Sequence, residues 1–431
     1  MTAMDATLAD YAASLENSAL NATLATLYGE TGRFSGGRRL GKLLETMRTR
    51  FGDGPAIAVS VPGRTELGGN HTDHNHGRVL AAAVHLDCLA VASPSSIPEI
   101  TLLSELFPEP IRVDLASTAP RPEEEGRAEA LIRGVADGFR QKGLNVGGFN
   151  ATLSSLVPVG SGLSSSAAFE LTICAIFNHL FNQGAVSELE QARFARRAEN
   201  LHFGKPCGFM DQLSCAIKGV LLIDLLNPDS PDFTSIEYDF EKTGYGLAMV
   251  ETGGDHSNLT AEYAAIASEM RAAARVLGRE VLRGASLSEA MTAIPEIRRA
   301  AGDRAVLRCI HFIEENERVD HLAAALAEGR LGDYFRLARA SGDSSWRLLQ
   351  NCASAADPAS QPIMLALAMT ERFLEGQGAC RIQGGGFAGS IQAYVPVERL
   401  KEYQEVMEKV FGQGAVVLLR TRGPSSALIR A

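Results

Sequence analysis

Three segments combine residue types and spacings that are able to do chemistry. The first is Pro158-Val-Gly-Ser-Gly-Leu-Ser-Ser-Ser-Ala-Ala168. Its glycines, Gly160 and Gly162, let backbone approach a ligand closely. Ser164, Ser165 and Ser166 offer side-chain caps for a helix that starts there. Uncapped N–H groups and the positive end of that helix favour an anion such as a phosphate chain. Ser161, Leu163 and Ala167 complete the stretch. No lysine follows the last glycine, so this is not the familiar lysine-bearing phosphate loop of nucleotide triphosphatases. A flexible turn with a serine cap is the plainer alternative.

The second segment, Pro62-Gly-Arg-Thr-Glu-Leu-Gly-Gly-Asn-His-Thr-Asp-His-Asn-His-Gly77, crowds polar groups after a strand-like run. Loops at strand ends are where small ligands are gripped. Asn70, His71 and Asp73 suit several hydroxyls at once, as a sugar presents. The same residues also permit a zinc reading through His71, Asp73, His74 and His76, although their spacing matches no common zinc pattern. A bland polar turn is the third option. The last segment, Gly384-Gly-Gly-Phe-Ala-Gly-Ser390, implies backbone crowding or a tight hairpin.

The flanking elements must position these loops. Ala56–Val61 alternates and is rich in valine and isoleucine, which predicts a strand that Pro62-Gly63 ends. Strands are expected at Val79–Ala92, within Ile100–Leu115, and at Phe149–Val157, Val220–Leu226, Leu247–Glu251, Ala379–Ile382, Ser390–Val395 and Ala415–Leu419. Helices are expected over Leu15–Arg50, Ala128–Lys142, Ser165–Phe181, Ser187–Phe203, from Met210, Tyr263–Leu277, Val306–Leu349 and Arg399–Val410. Arg121–Gly126 reads as a surface loop.

Length and composition set the frame. A chain of 431 residues that is 45% hydrophobic predicts two packed domains, divided as 1–240 and 241–431. A net charge of -10 argues against a nucleic-acid partner. No apolar run is long enough to span a membrane. The first fifteen residues contain acids and no base, unlike a secretory signal. Seven scattered cysteines without C-x-x-C spacing fit free thiols in a reducing cytoplasm. A monomer or weak dimer is expected.

Taken in order, the three loops resemble those of the galactokinases in the GHMP kinase family. That family carries a sugar signature like G-R-x-N-x-I-G-E-H-x-D-Y, a P-x-x-x-G-L-S-S-S-A loop and a late G-G-G-F-G-G loop. Here they stand at Gly63–His74, Pro158–Ala167 and Gly384–Gly389. A fourth segment, Ala198-Glu-Asn-Leu-His-Phe-Gly-Lys-Pro-Cys-Gly-Phe-Met-Asp-Gln212, is similar to the family stretch ending P-C-G-x-M-D-Q. The resemblance covers nearly the whole chain. It implies an α/β (α+β) fold with an N-terminal domain like ribosomal protein S5 domain 2 and a ferredoxin-like C-terminal domain, with the active site between them.

The resemblance also implies roles. Asp211 is the acid–base residue and Arg64 its partner. Ser166 and Glu199 hold Mg²⁺. Asn70, His71, Asp73, His74, Gly208 and Tyr263 contact the sugar, and 160–167 binds the phosphates of ATP. Lys205 and Cys207 read as structural, and Glu66, His202, Asp255 and His256 receive no role. Departures cluster on the sugar side: Glu66 replaces the family Asn, Gly68 the Ile, Asn70 the Glu and His74 the Tyr. Asn70 would tolerate a carboxylate at C6 that Glu would repel, so galacturonate or another C6-modified hexose stands as an alternative substrate, and N-acetylgalactosamine or arabinose stand beside it as sugars of the same shape. The Glu66/Asn70 exchange is open to a compensatory reading as well. In the late loop, Ala388 and Ser390 stand for Gly and Cys. A sugar- and ATP-binding regulator of yeast lacks the Ser-Ala pair that this chain keeps as Ser166-Ala167.

Overall fold

The computed structural model describes residues 6–253, 259–355, 357–387, 389–423 and 427–431. Asp255, His256 and Ala388 lie outside them. The strands are β1 (Ile57–Gly68), β2 (Arg78–Pro94), β3 (Glu99–Ser104), β4 (Ile111–Asp114), β5 (Phe149–Ser155), β6 (Val220–Asp224), β7 (Asp232–Ile236), β8 (Tyr245–Glu251), β9 (Ala379–Gln383), β10 (Ser390–Pro396), β11 (Val416–Leu419) and β12 (Ala427–Ile429). The first sheet runs β12-β1-β2-β5-β3-β4, with β6 also on β2 and β7 on β6. Among the described residues only the β3–β5 pairing is parallel. The second sheet runs β11-β8-β10-β9, all antiparallel.

In chain order the second sheet reads 4-1-3-2. Helices Asp303–Ala327, Leu331–Ser344 and Pro362–Leu374 lie between its first two strands, and Leu400–Phe411 between its last two. That is a ferredoxin-like arrangement enlarged by extra helices. The first sheet with its helices forms the other half. The short strand β12 crosses the 240/241 division and pairs with β1.

Strand β1 corrects one expectation. Pro62-Gly63 does not end it; it continues to Gly68 with register shifts at Pro62/Arg64 and Glu66/Gly68. Proline has no N–H to give to the ladder, and a local irregularity lets the strand bend rather than stop. The N-terminal helical stretch is also divided, into Leu8–Glu16 and Asn21–Phe51, the second kinked at Gly29 (φ 77°). Helix Pro362–Leu374 and strands β7 and β12 were not expected.

The helix Ser165–Phe181 has the bounds its apolar run predicts, and it is buried on almost every side. A helix apolar all round belongs inside. Phe177 packs on Phe139 and Phe149, with ring centroids 5.4 Å apart in each case. Burying such a ring contributes about 1.5–3 kcal/mol. The core around it is continuous with Leu247, Met249 and Tyr394 of the second sheet. The phosphate-loop helix is therefore anchored to both halves.

Candidate active site

The site forms where β1, two loops and two helix starts meet. Arg64 leaves the irregular part of β1, and its backbone N–H donates to Leu163 O at 3.0 Å. Its guanidinium donates to Asp211 Oδ1 through Nε at 3.0 Å and Nη2 at 2.7 Å. Nη1 donates to Gly162 O. One buried cation thus ties strand, phosphate loop and the helix Met210–Ala216 together. Burial works to raise the Asp211 pKa. Arg64 above all, with Lys205 further off, outweighs it, and the carboxyl is held below its ordinary 3.8.

The phosphate loop departs from the expected capping. Ser164 occupies the N-cap position with left-handed φ 59° and makes no capping bond. A capping side chain needs extended backbone there. Its buried hydroxyl makes no hydrogen bond within the protein, and the first N–H groups of the helix keep no side-chain partner. Gly160 and Gly162 have φ 79° and 77°, a region that favours glycine. Beside this loop opens an apolar cavity of about 630 Å³, lined by Leu106, Phe107, Ile111, Leu131, Leu153 and Phe169.

Glu199 sits at the next corner, 1% exposed. Its Oε1 accepts from Ser166 Oγ at 3.1 Å and from Lys205 Nζ at 2.9 Å. Its Oε2 accepts from Gln212 Nε2 at 2.8 Å. Ser166 and Glu199 therefore bring two hard oxygen donors together, the carboxylate already beside a positive charge. That chemistry fits Mg²⁺.

On the far side, Asp73 lies against Gly208, where a Cβ would collide with Asp73 Oδ2. Asp73 Oδ1 accepts from His74 N at 2.9 Å, and the His74 ring stands 5.9 Å from that of His71. His71 shares a hydrogen bond of 2.8 Å with Gly385 O. Desolvation, with His74 beside it, pushes the His71 pKa down to about 4, so the ring is neutral and donates this bond. Tyr263 donates to Gly386 O at 2.7 Å. Residues 71, 73, 74, 208 and 263 are thus gathered along the sugar-signature and glycine loops.

Asn70 is the exception. It is wholly buried, and its amide is spent inside the protein. Nδ2 donates to Gly384 O at 2.7 Å and to Glu66 Oε1 at 3.1 Å, while Oδ1 accepts from Asn351 Nδ2 at 2.7 Å. Asn70 is a strut between the two loops, because the loop turns its side chain inward toward Glu66. Glu66, left without a role from sequence, pairs with buried Arg381 at 2.8 Å. Arg381 had a signal, since a charge in a short apolar strand must find a partner. Lys205 and Gln212 had one too, lying within seven residues of Asp211 in the same segment. His202 lies 3.5 Å from Asp137, away from these groups.

Comparison with known proteins agrees. The family model "GHMP kinases N terminal domain" matches residues 130–219, and "Galactokinase galactose-binding signature" matches 46–94. A crystal structure of Lactococcus lactis galactokinase complexed with galactose superposes with TM-score 0.76 at 24% identity, covering 89% of this chain and 98% of that one. A mevalonate kinase superposes with TM-score 0.61 at 17% identity, over 85% of this chain and 99% of its own. The fold is that of the GHMP kinases. Human galactokinase is 33% identical over 359 residues, 81% of this chain and 86% of its own. The galactokinase of Streptomyces coelicolor is 29% identical over 380 residues, 86% of this chain and 92% of its own. The chain belongs to the galactokinase family, and is a sugar kinase that transfers phosphate from ATP to a sugar hydroxyl. Among the described residues, no helix is long and apolar enough to cross a membrane.

Proposed function

We propose that the enzyme transfers the γ-phosphoryl group of MgATP to the anomeric hydroxyl of α-D-galactose, giving galactose 1-phosphate and ADP. The observation that carries this reading is the Arg64–Asp211 pair, set beside the phosphate loop and next to the sugar-signature residues. The O1 oxygen of the sugar attacks the γ-phosphorus, the bond from that phosphorus to the bridging oxygen of ADP breaks, and the O1 proton passes to Asp211. A carboxylate held below pKa 3.8 is a weak base for a free alcohol. It suffices because the proton leaves late, after O–P bond formation has acidified the hydroxyl.

Arg64 holds Asp211 ionised and sets positive charge near the transferring group. The uncapped helix start and the N–H groups of 160–167 receive the phosphates. The apolar cavity beside them receives the nucleotide base. Ser166 and Glu199 would hold Mg²⁺, which neutralises phosphate charge when bound. His71, Asp73, His74, Gly208 and Tyr263 line the sugar side, and Asn70 supports that loop from behind. All seven cysteines are free, which supports a reducing compartment, the cytoplasm. No nucleic-acid or membrane partner is needed, and a monomer or weak dimer suffices.

The test is ADP release with MgATP against galactose, galacturonate, N-acetylgalactosamine, arabinose and glucose. Galactose is expected to lead. Preference for galacturonate would replace the substrate and leave the chemistry in place. Sugar and ATP binding without turnover would make the chain a regulator.

A second expectation concerns Gly208. In Gly208→Ala the new Cβ displaces Asp73, and misplaced contacts cost on the order of 10- to 100-fold. The loss is expected in KM for galactose, with KM for ATP unchanged. Equal rises in both would show that Asp73 does not serve the sugar.

A further inference from the structure

Lys205 is an exposed lysine doing something unusual for one. Its side chain is 59% exposed, yet its ammonium lies 2.9 Å from Oε1 of a carboxylate that is 1% exposed. That same oxygen accepts from Ser166 Oγ at 3.1 Å. Behind Glu199 stands a second acid, Glu170, wholly buried and sharing Gln212 Nε2 at 3.4 Å. Glu170 Oε1 has no partner. No ion pair of Glu199 other than that with Lys205 is found among the described residues. Without Lys205 the buried corner would hold two carboxyl groups and no counter-charge, and uncompensated buried charge is expensive.

Lysine suits a temporary post here. Its ammonium is a compact point charge on a flexible stem, and it leaves an oxygen more readily than a bidentate arginine does. The oxygen it binds belongs to the carboxylate assigned above to Mg²⁺.

We propose that Lys205 is a tethered counter-ion of Glu199: it holds this carboxylate in place while no divalent cation is bound, and gives up the oxygen when one arrives with ATP. The proposal rests on the reading that Ser166 and Glu199 are the metal ligands. Two charges at that oxygen repel the ammonium, whose exposed stem frees it to turn outward. The nucleotide-free enzyme then keeps a formed metal site without holding metal tightly.

The experiment compares wild type, Lys205→Met and Lys205→Arg without nucleotide. Mn²⁺ is titrated as the probe by electron paramagnetic resonance, and Tm is read with and without millimolar Mg²⁺. Lys205→Met is expected to lose Tm, regain it with Mg²⁺, and bind Mn²⁺ at least about tenfold tighter than wild type. Lys205→Arg, which keeps the charge, should hold Tm and bind Mn²⁺ no tighter than wild type. If Lys205→Met binds Mn²⁺ as weakly as wild type and its Tm ignores Mg²⁺, the proposal is wrong. Glu199→Gln, titrated with Mn²⁺ and a non-hydrolysable ATP analogue, separates the two readings. Undiminished Mn²⁺ binding by Glu199→Gln overturns the metal site and the proposal with it. Lost binding there, alongside a wild-type response from Lys205→Met, overturns the proposal alone.

Discussion

Replacing Asp211 with Asn is expected to lower kcat by about 10²–10⁴, the range over which a positioned base contributes. Asn keeps the shape, and its carbonyl oxygen still accepts from Arg64, whose Nε and Nη2 both reach Oδ1 of the native carboxylate. What is lost is the proton acceptor and a negative charge. Galactose and ATP affinities, read by calorimetry, should stay within a few-fold of wild type. The loss then lies in the transition state alone, with kcat and kcat/KM falling together. The pH profile gives a second check. Asp211 must be ionised to act, and Arg64 helps hold its pKa below 3.8 despite burial. An acid limb set by Asp211 must therefore lie below 3.8 in wild type. Near-normal turnover in Asp211→Asn would remove Asp211 from the base role and leave the Arg64 pair as scaffolding.

This pair shows what a sequence can and cannot reveal. Arg64 and Asp211 are 147 positions apart. Each lies in a contiguous polar segment, and local composition marked both segments. Their pairing depends on the irregularity at Pro62/Arg64, which the local rule for proline missed, because β12 reaches only Ser60 and an edge position paired with β2 alone tolerates a residue without an N–H. The helix Ser165–Phe181 was legible to the residue, since its run is mostly apolar despite Glu170, Thr172, Asn178 and His179. Strand β12, three residues long, carries no pattern to read. Asn70 was misplaced for a related reason. Its inward turn depends on Ser345, Asn351 and Gly384, which lie 275 to 314 positions away. A polar loop residue reads as a ligand contact until its distant partners are known.

The strongest stability effect should come from that same buried cluster. Glu66 Oε1 takes Arg381 Nη2 at 2.8 Å and Asn70 Nδ2 at 3.1 Å, and all three side chains are almost fully buried. Burial already lifts the Glu66 carboxyl above its usual range, with Arg381, Arg64 and Asn70 offsetting part of the cost. The cluster therefore accommodates one acid for one arginine. Asn70→Glu adds a second carboxyl against the first, and Glu66→Asn strips Arg381 of its partner. Each single change is expected to cost about 3–5 kcal/mol, the range for a buried pair left uncompensated. The double exchange, Glu66→Asn with Asn70→Glu, moves the acid without changing the charge count and should recover a coupling of about 0.5–3 kcal/mol. Thermal unfolding of the four proteins measures this directly. Strict additivity would mean the two positions are independent and that the exchange relative to other galactokinases is not compensatory. If coupling is found, galactose KM decides what the exchange is for. A double variant that folds and binds galactose more tightly would place the acid of position 70 at the sugar. One that folds with unchanged KM would confine the exchange to the packing between the sugar loop and the glycine loop.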